Sequence, residues 1–222
     1  MATYVLVHGA WHTGDLLADT AAPIRAAGHE VHTPTIGGNR PGDDKTIGLD
    51  EAVKPIASYF DEHRLTDVVL MGHSYGGMII TKIADIMPDR IRRLVYWNAF
   101  VPLDGESLDS MVPPHYVELF DQIAAETGDG SLPLPFPIWR EAFINDVDAG
   151  TAQKAYDLLN PHPYKTFQDK ISLKVPTAAL ETIGKSYLNC LQDTALPHSM
   201  PWHPRLSEKL GLFRLVEMYM AG

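Results

Sequence analysis

The stretch Val68-Val69-Leu70-Met71-Gly72-His73-Ser74-Tyr75-Gly76-Gly77 leaves this chain few folds to choose from. Four apolar residues read as a buried strand, the glycine-flanked serine as a sharp turn, and Met78-Ile79-Ile80 through Met87 as the helix leaving it. G-x-S-x-G between a strand and a helix is a nucleophile elbow. The turn is strained, so glycines are needed where backbone approaches closely, and the strain holds the serine hydroxyl above a sheet within reach of a base. A strand that runs straight into a helix also demands neighbours of the same kind.

Those neighbours are present. Tyr4-Val5-Leu6-Val7 reads as a fully buried strand ending at His8-Gly9-Ala10, followed by a helix from Asp15 to Ala27 that stops at Gly28. Val31 to Pro34 gives a second strand, 35–44 a Gly/Pro/Asn/Asp loop, and Leu49 to His63 a helix with apolar residues at helical spacing. Arg93 to Trp97 is the strand after the elbow helix. Continuous apolar strands alternating with helices mean a mostly parallel sheet covered on both faces. From Pro102 to about Ile171 the rhythm breaks: helical pieces are expected at His115 to Thr127, Ile138 to Asn145 and Thr151 to Leu159, with no strand. Alternation resumes with strands at Lys185 to Leu191 and Phe213 to Met218, and a helix around Leu206 to Leu210. The expected organisation is a core of about six strands in two parts, 1–101 and 173–222, interrupted by a helical lid, 102–172.

A net charge of −10 argues against nucleic acid and anionic membranes as partners, and no run of about 18 apolar residues is present to span a bilayer. The lone Cys190 excludes an internal disulfide and sits in an apolar run, so it reads as a buried structural thiol; a cytoplasmic location is the expectation. No G-x-G-x-x-G or P-loop motif follows a strand, and His8, His12 and His73 lack spaced acidic or thiol partners, so neither cofactor nor metal is expected. A homodimer stays open.

An acyl-transfer serine needs oxyanion donors, a base and a group to orient the base. The backbone N–H of Tyr75 is one donor, and that of Ala10, in the loop after the first strand, the second. Asp193, just past a late strand, suits the orienting acid; the end of the post-elbow strand is the other candidate position, but it holds Asn98. The base is expected after the final strand, where the 222 residues stop without a histidine. His198 and His203 follow Asp193 closely enough to sit in the loop leaving its strand. The expectation is therefore a truncated chain that also lacks the last sheet-covering helix. His8, His12 and His73 are expected around the mouth of the site. Phe136, Trp139, Phe143, Tyr164 and Phe167, with Trp11, His12, Met200 and Trp202, are candidates to contact an apolar substrate.

In Val5-Leu6-Val7-His8-Gly9-Ala10-Trp11-His12, Gly72-His73-Ser74-Tyr75-Gly76-Gly77, Asn98-Ala99-Phe100-Val101-Pro102 and Asp193-Thr194-Ala195-Leu196-Pro197, the chain resembles the α/β-hydrolase superfamily. It is most similar to the small methylesterase and hydroxynitrile-lyase group and its bacterial esterase relatives. The resemblance implies Ser74 as nucleophile, Asp193 as acid, Ala10 and Tyr75 as oxyanion donors, and a histidine shortly after Gly222. Gly9, where the lyases carry Thr, together with His73 looks more like the esterases. The implied activity is hydrolysis of a small hydrophobic or aromatic ester. A lyase or C–C bond hydrolase, and a ligand-binding protein without turnover, are the alternatives.

Overall fold

The computed structural model describes residues 1–174 and 182–220. Residues 175–181, within the second core segment expected from the sequence, and 221–222 lie outside the described residues.

The chain opens with β1 (Thr3–Val7), a short 3-10 turn, α1 (Ala18–Ala26) and β2 (Glu30–His32). Then come α2 (Leu49–Glu62), β3 (Val68–Ser74), α3 (Gly76–Ile86) and β4 (Ile91–Ala99). The sheet is completed by β7 (Gly184–Cys190) and β8 (Arg214–Met218). Its order is β2-β1-β3-β4-β7-β8, and every pairing is parallel. Parallel neighbours require crossovers, and in the central strands β3 and β4 one face is fully buried and the other for the most part partly buried.

The two faces are covered unequally. Val5, Val7, Val68, Leu70, Leu94 and Tyr96 join the large core with α2 and α3, whose Ile56, Phe60, Ile79 and Ile83 are fully buried. Leu6 and Val31 face the other way, against Ala21 of α1. β8 is exposed along its length, with Leu215 and Val216 at 37% and 38%.

Between β4 and β7 lie α4 (Pro114–Thr127), β5 (Ser131–Leu132), α5 (Phe136–Ile138), α6 (Ala149–Tyr156), β6 (His162–Pro163) and α7 (Lys165–Gln168). Two expectations are corrected here. The segment does hold strands, because β5 and β6 pair antiparallel over two residues each, too short to leave an alternating pattern. The helix expected from Ile138 to Asn145 is instead the end of α5 and a π-helical turn, Trp139–Phe143, closed by the Ile144 N–H donating to the Trp139 carbonyl. Such widened turns occur often at functional sites.

Many bonds tie this segment to the core, from the loop after β1, the start of α2 and the region after β7 among others. The Trp11 indole N–H donates to the Leu132 carbonyl, the Asn160 N–H to the Trp11 carbonyl, and the Leu49 N–H at the start of α2 to Asp169.

Candidate active site

Ser74 ends β3 with φ +52°, a conformation costly for a residue with a Cβ. The surrounding glycines show why it is tolerated. A Cβ on Gly76 would lie 2.7 Å from the Val7 carbonyl oxygen, and one on Gly77 only 2.0 Å from that of Phe100. α3 therefore starts directly against β1 and the end of β4. The Phe100 N–H donates to the Ser74 carbonyl at 3.2 Å and fixes the turn from its far side. Tyr75 immediately precedes α3, whose first amides have no acceptor within the helix and favour negative charge.

The loop after β1 is shaped by histidines. His8 is buried, and its Nδ1–H donates to the Gly9 carbonyl at 2.7 Å while Nε2 accepts the Ile36 N–H at 3.0 Å. Both bonds need the same neutral tautomer. In a trans peptide the N–H points opposite to the C=O, so a Gly9 carbonyl held on His8 turns the Ala10 N–H away from it. His12 repeats the device one peptide on, donating from Nδ1 to the Ala10 carbonyl at 2.7 Å. A Cβ on Gly9 would stand 3.2 Å from the Ser74 Cβ, which shows how closely this loop packs on Ser74.

The expectation that His8, His12 and His73 ring the mouth is corrected. His8 lies beneath the loop, and His73 lines a separate hollow with Leu6, Met71 and Trp97, its ring 4.7 Å from the Trp97 ring. Burial lowers both His8 and His73 to about 3 from 6.5. Both are neutral at physiological pH.

Ser74, Ala10 and Tyr75 together line one apolar cavity of about 40 Å³. Its walls include four of the aromatic residues expected from the sequence: Trp11, Phe143, Phe167 and Trp202. Phe136, Trp139, Tyr164 and Met200 stand elsewhere, as does His12. Trp139 donates its indole N–H to the Ala152 carbonyl and packs against His12, ring centroids 5.8 Å apart, so the pair stands against the loop after β1 and outside this cavity. The Tyr164 hydroxyl donates to Asp121. Sequence reasoning missed Phe100, Tyr116 and Phe120, which share the lining.

Asp193 follows β7 and accepts hydrogen bonds from Asn98 at 2.7 Å, Trp202 at 2.9 Å and the Ala195 N–H at 2.8 Å. All ten histidines fall within the described residues, and no hydrogen bond joins any of them to Ser74 or Asp193. His198 and His203 share with Asp193 a cleft of about 160 Å³ that Ser74 does not line, and His203 is bonded to Ser207. Among the described residues no group of three or more His, Cys, Asp or Glu side chains could hold a metal ion, and no helix is long and apolar enough to cross a membrane.

Residues 4–222 match the model of the alpha/beta hydrolase family. A carbendazim hydrolyzing esterase from Nocardioides sp. (strain SG-4G) is 46% identical over 170 residues, 75% of this chain and 62% of that protein. The aligned part of the chain thus spans less than two thirds of that relative. Methylesterase 7 from Arabidopsis thaliana is 26% identical over 222 residues, covering 87% of this chain and 79% of its own. Among solved structures, an extracellular alpha/beta-hydrolase from a Paenibacillus species superposes with a TM-score of 0.94 at 34% identity, over 100% of this chain and 91% of that one. That protein is described as sharing structural and functional homology with tobacco salicylic acid binding protein 2.

Proposed function

The chain belongs to the alpha/beta hydrolase family, and from that membership we propose that it is a serine hydrolase of small, apolar carboxylic esters. The observation that carries this reading is Ser74, held at φ +52° on the elbow and facing an apolar cavity beside Ala10 and Tyr75. The esterase, hydrolase and methylesterase names of relatives support it.

The Ser74 Oγ attacks the ester carbonyl carbon as a histidine base takes its proton, and the oxyanion rests on the Ala10 and Tyr75 N–H groups. The intermediate collapses by breaking the bond to the alkoxy oxygen, which leaves as the alcohol with that proton. Water, deprotonated by the same base, then attacks the acyl group on Ser74, releasing the carboxylic acid and restoring the hydroxyl. Asp193 orients the base. Segment 102–172, which supplies Tyr116, Phe120, Phe143 and Phe167 to the cavity wall, acts as the lid.

The cavity favours a small group. At about 40 Å³ it falls well below the roughly 150 Å³ of an apolar cavity that admits benzene. An aromatic moiety therefore requires the lid to shift, or sits outside it. The lone buried Cys190 supports a cytoplasmic setting, which cell fractionation tests against the extracellular one named for the Paenibacillus neighbour.

The experiment is a panel of p-nitrophenyl esters set beside a cyanohydrin and a β-diketone, assayed with the natural gene product and with Ser74→Ala. Ester turnover that falls by several orders of magnitude in Ser74→Ala supports the proposal. Cleavage of the cyanohydrin or diketone alone moves the chain to lyase or C–C bond chemistry. Ester turnover lost in His198→Ala or His203→Ala would make that histidine the base.

A further inference from the structure

Resting on the reading of Ser74 and Asp193 above, we infer that Asn98 and Trp202 are positioning residues: they clamp the Asp193 carboxylate and leave one direction open for the base. A bulge puts Asn98 in place. His73 of β3 pairs with Trp97 of β4, and Ser74 with Ala99, so Asn98 is the extra residue between them. Its φ is +33°, in the positive region that asparagine enters more readily than most residues. A bulge at a strand end re-aims a side chain, and this one turns toward the end of β7.

There the amide is fully used. Asn98 Oδ1 accepts the Cys190 N–H at 2.8 Å, and Nδ2 donates to Asp193 Oδ2 at 2.7 Å and to the Cys190 carbonyl at 3.5 Å. The bond to Cys190 N–H fixes which end of the amide is oxygen, so the face offered to Asp193 can only donate. Asn98 is wholly buried, which holds the arrangement rigid.

Trp202 grips the other oxygen. Its indole N–H reaches Asp193 Oδ1 at 2.9 Å, and the Ala195 N–H reaches the same atom at 2.8 Å. The Trp202 ring is itself wedged against Phe100, centroids 4.9 Å apart. Oδ1 thus carries two donors and Oδ2 one. A carboxylate oxygen has room for two, so the second acceptor position of Oδ2 is the one left for an imidazolium N–H. Trp202 and Leu196 also form the partition between the Asp193 cleft and the Ser74 cavity, since both line each. The acid is therefore clamped by a wall of the substrate site.

Two substitutions test this in the natural gene product. Asn98→Asp is isosteric and tolerates the positive φ, but replaces the donor with a second carboxyl 2.7 Å from Oδ2. At low pH the pair shares a proton that competes for Oδ2. At higher pH a second negative charge raises the affinity of the base for its proton. Both effects move the acid limb of kcat/KM to higher pH, with at least a tenfold loss at neutral pH expected. Trp202→Phe removes the N–H and trims a wall of the cavity, so KM moves as well; the expected mark of the lost clamp is a tenfold fall in kcat with the same upward shift of the acid limb. A purely structural role would lower thermal stability without moving the pH limb. If Asn98→Asp does not fold, the pH limb of Trp202→Phe decides. A pH profile of Asn98→Asp superimposable on that of the unaltered protein, or an unchanged kcat in Trp202→Phe, overturns the inference. Either result beside an inactive Ser74→Ala leaves the esterase reading standing, whereas an active Ser74→Ala removes that reading itself.

Discussion

His8 decides much of what the site can do, because its two bonds can be made together in only one protonation state. It donates to Gly9 and accepts from Ile36, so a second proton would place a donor against the Ile36 N–H and release the loop that carries Ala10. Burial already opposes that proton, holding His8 and His73 down at about 3 against 6.5 in the open chain. The sign of the consequence follows from proton counting. Between those values the unfolded chain binds protons that the folded one refuses, so stability present above about pH 6.5 is lost as the pH falls toward 3. Each histidine contributes a slope of at most about 1.4 kcal/mol per pH unit in that window. The urea midpoint is expected to drop between pH 6.5 and pH 5, above the range where most carboxylates titrate. A midpoint flat across that interval would contradict the buried neutral state of both rings. Replacing His8 by Leu frees the Gly9–Ala10 peptide, and kcat should fall by a factor approaching the roughly 10²–10³ of a deleted oxyanion donor. His8 was visible in the sequence as part of a Gly-containing loop, but its role was not. Orienting a peptide depends on Ile36, a contact 28 positions away that no local pattern encodes.

The elements that carry the site meet at distances set by glycine. Gly77 lets the first turn of α3 rest on the Phe100 carbonyl, and because that neighbour is backbone it cannot move aside like a flexible side chain. Gly77→Ala is expected to cost about 1–3 kcal/mol, read as the change in unfolding free energy by denaturant titration. A change below a few tenths would mean that α3 slides off β4 at little cost. This scale was the most legible in the sequence. The continuous apolar runs of β1, β3 and β4 mark strands covered on both faces, and the Gly-flanked serine marks the junction of β3 with α3. What was illegible is equally local in its cause. β5 and β6 are two residues long, too short for any periodicity, and the π-helical turn at Trp139–Phe143 has the composition of an ordinary helix. Asn98 was weighed only as a missing acid, because a bulge is a property of register between two strands.

At the scale of the whole molecule, the substrate cavity is assembled from pieces far apart in the chain: the loop after β1, the elbow, segment 102–172 and the loop after β7. Apolar residues on a helix look alike whether they face a core or a cavity, which is why nothing in the sequence sets Tyr116 and Phe120, on the cavity wall, apart from Trp139, which lies outside it. The closed volume sets the expected preference, acetyl over longer acyl esters. Phe143→Ala, which trims a wall contributed by the lid, should shift that preference toward longer chains, measured as the ratio of kcat/KM for p-nitrophenyl hexanoate to that for the acetate. An unchanged ratio would place the acyl group outside this cavity. Every step of the proposed reaction depends on Ser74 Oγ taking the acyl group. The most direct measurement is peptide mass spectrometry of the natural gene product, acid-quenched during turnover of p-nitrophenyl acetate. One acetyl group on the peptide containing Ser74, absent from Ser74→Ala together with turnover, is the predicted result; sustained turnover with Ser74 unmodified and with Ser74→Ala still active would contradict it.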